Sequence, residues 1–274
     1  LKKAIGSNGM TDNSPKELRN EYPILEYDSA RGAVIEPQAV EYTRGNMPAR
    51  VVLCFFGEVI ETVCGDGKAE IIGYVGSREM GRKPVYRFET DGGPIAVAHP
   101  SVGAPLAANS LERAIKMGGR KFIACGGAGV LDSAIPAGHV VLPVSAVRDE
   151  GTSYHYLPPA REVAASEAAV AAIVRTLEAR SVPYMMGKTW TTDAVFRETS
   201  RKVSQRRDEG CITVEMEAAA FFAVAQFRGV TFGQILYSGD DVSGEVWDNR
   251  DWVHGQASVR EQLFWLAVEA VLDV

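Results

Sequence analysis

The stretch Ala104-Pro-Leu-Ala-Ala-Asn-Ser-Leu-Glu-Arg-Ala-Ile-Lys-Met117, followed by Gly118-Gly119 and then by Phe122-Ile-Ala-Cys125, decides the fold class. Its first part carries apolar residues at helical spacing and halts at two glycines, a common stop signal. Its last part is a short apolar run with no polar alternation, the pattern of a strand covered on both faces. A helix leading straight into such a strand is a building unit of α/β proteins.

The same pattern extends in both directions. Apolar, β-branched runs recur at 51–56, 71–75, 85–88, 95–98, 140–143 and 231–237, and helical patterns at 162–180, 217–228 and 259–274. The expectation is a central sheet covered by helices. The closely spaced runs between 71 and 98 predict hairpins, hence a mixed sheet. Residues 1–20 are polar and turn-rich, and 21–48 hold only short apolar pieces between turn signals. The expected organisation is an N-terminal extension over 1–48, partly loop, lying on the main domain or a neighbouring subunit, and one α/β domain over 49–274.

Composition narrows the function classes. The 274 residues carry 29 Lys+Arg against 35 Asp+Glu, a net charge of -6, with no basic stripe, which argues against nucleic-acid and membrane-surface partners. No run approaches a membrane span of ~20 apolar residues, and Leu1 to Pro15 lacks the apolar core of a signal peptide. Cys54, Cys64, Cys125 and Cys211 stand far apart without metal spacing, so they read as buried free thiols in a reducing cytoplasm. No metal or organic cofactor is expected.

Three motifs could carry chemistry. Ile123-Ala-Cys-Gly-Gly-Ala-Gly129 reads as a glycine-rich loop after a strand, where Gly126 and Gly127 let backbone amides approach an anion. It is not a P-loop, and Asp132 replaces the third glycine of a dinucleotide fingerprint, so a tight structural turn is the ordinary alternative. Val214-Glu-Met-Glu-Ala-Ala-Ala220 breaks from strand into helix with two acids at the junction. Glu215 and Glu217 could simply favour the positive helix end, or one could accept both hydroxyls of a cis-diol with Met216 against the sugar. Ile235-Leu-Tyr-Ser-Gly-Asp-Asp-Val242 places acids beyond a strand's carboxyl end, where α/β sheets bind ligands, or forms an ordinary Asp-rich turn.

In this order the motifs resemble those of the nucleoside phosphorylase and nucleosidase family, which includes purine nucleoside phosphorylases, uridine phosphorylases and methylthioadenosine nucleosidases. The resemblance covers about 50–270. It rests on Gly126-Gly-Ala-Gly129, Pro136-Ala-Gly-His-Val-Val141, Arg148-Asp-Glu-Gly-Thr-Ser-Tyr-His-Tyr156, Gly187-Lys-Thr-Trp-Thr-Thr-Asp193, Glu215-Met-Glu217 and Gly239-Asp240. It implies a three-layer α/β/α single domain with a mixed, partly barrel-like sheet, and a homo-oligomer (dimer or hexamer) with sites near subunit contacts. Glu217 would bind the ribose hydroxyls, Met216 would line the sugar, and Val195 and Phe196 would lie near the base. Asp240, rather than Asp241, would hydrogen-bond or protonate a departing purine. Asp241 could help raise its pKa if both face the pocket.

The expected activity is phosphorolysis of a nucleoside, with phosphate as co-substrate. The usual phosphate ligands are nevertheless missing: Ile60 and Ala124 stand where the family has arginines, and Gly127 where it has a hydroxyl. Either loop amides plus a cation such as Arg82 hold phosphate, or water is the acceptor and Glu58 its base, as in a hydrolytic nucleosidase. Glu58 could also be a plain exposed loop acid. The residues that read uracil in uridine phosphorylases are matched only by Thr199 and Arg201, so a purine is favoured over uridine. A non-catalytic nucleoside-binding or storage protein is the rival from another class, and it would have no need of Glu217 and Asp240.

Overall fold

The computed structural model describes residues 18–37, 47–76, 79, 81–252 and 257–274. Its centre is strand β5 (Lys121–Val130), which grows out of the run at 122–125. One edge of β5 pairs in parallel with β1 (Arg50–Cys54), which pairs in parallel with β4 (Ile95–Ala98). Beyond β4 the antiparallel strands β3 (Lys83–Phe88) and β2 (Glu70–Val75) complete that wing, which makes the sheet mixed as expected.

The other side of β5 closes on itself. β10 (Thr231–Asp241) runs parallel to β5 and antiparallel to β6 (Val140–Asp149); β6 pairs with β8 (Tyr184–Thr192), β8 with β9 (Cys211–Glu215), and β9 returns to β5. These five strands form a closed barrel at one end of the sheet, and the short β7 (Glu162–Ala164) adds to β6.

Strand alternation sorts the core into two layers. Val52, Cys54, Ile123 and Cys125 pack under Ile173 and Leu177 of α3 (Glu167–Ala179) and Phe264 of α6 (Ala257–Leu272). Their neighbours Val51, Leu53, Phe122 and Ala124 pack under Leu111 of α2 (Ala104–Met117) and Phe221 and Phe222 of α5 (Ala218–Arg228). Each fully buried side chain of this size contributes about 1.5–3 kcal/mol. The result is the three-layer α/β/α single domain with a partly barrel-like sheet. Two shorter helices, α1 (Gly57–Cys64) and α4 (Ser200–Asp208), follow β1 and precede β9.

Several boundaries differ from expectation. The glycines at 126–129 lie inside β5, paired with β10 and β9, and form no loop. A strand is required there because it is the seam between barrel and sheet. Residues 162–164 pair with β6 rather than starting the next helix, which begins at Glu167. All four cysteines are free and buried. In the described part of the expected extension, the Arg31 guanidinium stacks on Phe227, 4.6 Å from the ring centre, so that segment packs on the domain surface. Residues 1–17 and 38–46 of that expected extension lie outside the described residues.

Candidate active site

Residues at or just past the carboxyl ends of β1, β5, β9 and β10 surround a cavity of about 740 Å³. Such ends are where ligand crevices of α/β sheets form. Of the side chains singled out from sequence, Glu58, Val195, Phe196, Glu215, Met216, Glu217 and Asp240 line it, as do Gly126 and Gly127. Arg82 does not: it is exposed, just before β3, outside the cavity lining. Among the described residues no group of three His, Cys, Asp or Glu side chains is arranged to hold a metal.

The β9–α5 junction makes the most ordered part. Glu215 ends β9, and its Oε2 accepts the backbone N–H groups of Glu217 (2.7 Å) and Ala218 (2.6 Å). Its Oε1 accepts the Thr191 hydroxyl at 2.6 Å. Glu215 thus satisfies the orphan donors at the start of α5, and the buried Thr191 on β8 locks it in place. The task left to Glu215 is positioning, since both its oxygens are occupied. Glu217, 6% exposed, accepts the Gly103 N–H on Oε1 at 2.6 Å. Burial, together with the nearby Glu215 charge, raises the pKa of Glu217. A buried carboxylate with spare lone pairs facing a cavity suits a ligand that brings hydroxyl donors.

The two acids at the end of β10 separate cleanly. Asp241 donates nothing to the cavity: it accepts from Arg250 (2.7 Å) and from the Ser243 N–H (2.8 Å), and these partners hold its pKa down. Asp240 lines the cavity, with Oδ2 accepting the Trp247 indole N–H at 2.6 Å. A Cβ on Gly129 would stand 3.2 Å from Asp240 Oδ1, so glycine at 129 gives this carboxylate its room. Glu198 lines the same region, and burial plus the Asp240 charge push it up to about 7. Sequence reasoning missed Glu198, because it falls in the short turn after β8 with no motif of its own.

Glu58 is not a strand-end loop acid. It lies in the first turn of α1, half exposed, with Oε1 accepting from Arg260 Nη1 at 2.9 Å. Arg260, on α6, is a second residue that sequence reasoning missed. Ile60 and Ala124 are 6% and 0% exposed and belong to the apolar core, so no cation comes from either position. Val195 and Phe196 form a short 3-10 turn at the mouth, with Phe196 95% exposed.

The sequence profile of the Phosphorylase superfamily matches residues 49–270. A guanosine phosphorylase from Halorubrum lacusprofundi is 28% identical over an alignment covering 53% of this chain and 60% of that protein. A uridine phosphorylase from Thermococcus kodakarensis is 27% identical, covering 66% of this chain and 73% of its own length. Among solved structures, purine nucleoside phosphorylase from Toxoplasma gondii in complex with immucillin-H superposes with a TM-score of 0.72 at 18% identity, covering 86% of this chain and 96% of that one.

Proposed function

Because the chain belongs to the Phosphorylase superfamily, we propose that it cleaves the N-glycosidic bond of a nucleoside by phosphorolysis, releasing the base and a pentose 1-phosphate. The observation that carries this reading is the presence of Glu217 and Asp240 in one cavity, one suited to a diol and the other to a leaving base. Breaking the bond builds positive charge on the sugar and negative charge on the base, and the two carboxyl groups address these two ends.

In this reading Glu217 accepts the ribose 2′- and 3′-hydroxyls, Met216 packs against the sugar, and Glu215 fixes the turn that presents both. Val195 and Phe196 border the base. As the C–N bond breaks, its electron pair passes to the base, and purine N7 takes a proton that Glu198 supplies by way of the Asp240 carboxylate. An oxygen of phosphate then completes a new bond to the anomeric carbon. Glu198, pushed up to about 7, keeps a proton near neutrality and can resupply Asp240. That requirement for an N7 favours purine nucleosides. The four free cysteines suit a reducing, cytoplasmic setting. The exposed Phe196 at the mouth suits a homo-oligomer in which a second copy covers it.

A second reading, hydrolysis, is favoured by one observation: the positions of the usual phosphate arginines are buried Ile60 and Ala124. Water activated by Glu58 would then be the acceptor. Turnover of a nucleoside panel with and without phosphate tests all of this. Pentose 1-phosphate as product supports phosphorolysis, free pentose supports hydrolysis, and no turnover of any nucleoside supports a binding protein.

A further inference from the structure

The cavity holds one feature that the reading above leaves unused. Arg260 projects from the first turn of α6, its side chain only 14% exposed, and its guanidinium is held on several sides. Nε donates to the Tyr237 hydroxyl at 3.1 Å, Nη1 to Glu58 at 2.9 Å and Nη2 to the Trp252 carbonyl at 2.6 Å. The rings of Phe56 and Trp252 each lie 5.8 Å from its central carbon. A planar cation fixed this way is prepared to receive an oxyanion.

Tyr237 supplies the complementary group. Its ring lies over Gly127, and its hydroxyl oxygen stands 3.3 Å from where a Cβ on residue 127 would be. A hydroxyl is therefore presented at the place that a serine or threonine at 127 would serve, but from the neighbouring strand β10. Tyr237 accepts from Arg260, which leaves its own proton to donate. The location also fits an acceptor. Gly129, two residues further along β5, adjoins Asp240, so the Arg260–Tyr237 pair and the leaving-base acid are separated by roughly 7 Å along the strand. An anomeric carbon fits between them.

We propose that Arg260 and the Tyr237 hydroxyl form the acceptor-anion subsite of this cavity, and that the Glu58 carboxylate occupies Arg260 until inorganic phosphate displaces it. This rests on the phosphorolysis reading and deepens it: the missing charge and hydroxyl are restored from α6 and β10. Glu58 is 55% exposed, so its ion pair is weak and its side chain can swing into water. Glu58 is then a competitor of phosphate, the opposite of a catalytic base.

The test is calorimetric titration of the 274-residue chain with inorganic phosphate, alongside the KM for phosphate and for nucleoside. Arg260→Gln should weaken phosphate binding roughly tenfold or more, the scale of losing a charged hydrogen-bond donor, while the nucleoside KM stays within about twofold. Arg260→Lys should recover part of the loss. Glu58→Gln should tighten phosphate, and Tyr237→Phe should weaken it, so the proposal remains testable if Arg260→Gln fails to fold. Phosphate binding unchanged in Arg260→Gln, weakened in Glu58→Gln, or absent from the wild-type protein overturns the proposal. Because binding is read without turnover, the two readings fail separately. A protein that binds phosphate through Arg260 but cleaves no nucleoside refutes the phosphorylase reading alone. A working phosphorylase indifferent to Arg260 refutes the subsite alone.

Discussion

Replacing Glu217 by glutamine should damage catalysis and improve stability at once. The carboxylate accepts the Gly103 N–H and lines the cavity. A ribose diol donating two charge-assisted hydrogen bonds there loses about half of that stabilisation when the acceptor becomes a neutral amide. At about 1.5–3 kcal/mol per bond to a charged group, the loss is about 1.5–3 kcal/mol in all. That corresponds to a fall of roughly 10- to 150-fold in kcat/KM. A 2′-deoxynucleoside brings one donor fewer and should lose about half as much free energy.

Stability should move the other way. The folded-state pKa of Glu217 is raised from the ordinary glutamate value of 4.5 to about 8 by burial and by the Glu215 charge. The folded protein therefore binds more protons than the unfolded chain between about pH 4.5 and about pH 8, and stability falls as pH rises through that window. Glutamine removes the penalty, so the melting temperature of Glu217→Gln should exceed wild type at pH 8 and approach it near pH 4.5. Initial rates on paired ribo- and deoxyribonucleosides and thermal melts at both pH values check this. Equal rate losses on both substrates, or a variant less stable at pH 8, would refute the assignment of Glu217 as a diol acceptor with a strained charge.

Asp240→Asn should slow purine nucleosides that need a protonated leaving group, with milder effects on an activated nitrophenyl riboside. Asp241→Asn should instead leave rates near wild type and lower the melting temperature, because it weakens the buried pair with Arg250; the reverse pattern would exchange the two roles. The pH profile of kcat should show a limb near 7, from loss of the Glu198 proton as pH rises, and Glu198→Gln should remove that limb. A profile identical in the variant would show that Glu198 takes no part.

Where local pattern and tertiary packing agreed, the sequence was enough. The helix at 104–117 and the strand at 95–98 appear at the residues read from the chain. The glycine run was misread as a loop because glycine ordinarily weakens a strand. It is tolerated in β5 because Phe55, Tyr237 and Asp240 crowd the spaces where Cβ atoms would go, and none of those contacts is local. β8 carries Lys and several threonines, which hid it from a search for apolar runs. Between β8 and β9, Thr189 bonds to Thr213 and Thr191 to Glu215, so polar residues are what that strand needs. The Glu215-Met-Glu217 and Gly239-Asp240 junctions were legible because strand ends carry their own signals. Arg260 was not, since its partner Glu58 is 202 residues away.

The closure of the barrel has a consequence for how the protein acquires its cavity. β5 hydrogen-bonds to β1, β9 and β10, and its register partners run from Arg50 to Asp241. Pairings between such distant segments form late, because the chain entropy of closing long loops must be overcome first. Gly127 meets Tyr237, and Gly129 meets Asp240, only once β10 has docked. No partly folded fragment therefore contains a usable pocket, and recovery of activity on refolding should track the last, slowest phase. In the native protein the same strand should exchange its amide hydrogens only through global opening. Adjustment to a ligand then falls to the turns at 195–200 and 244–252, which border the cavity without belonging to the barrel.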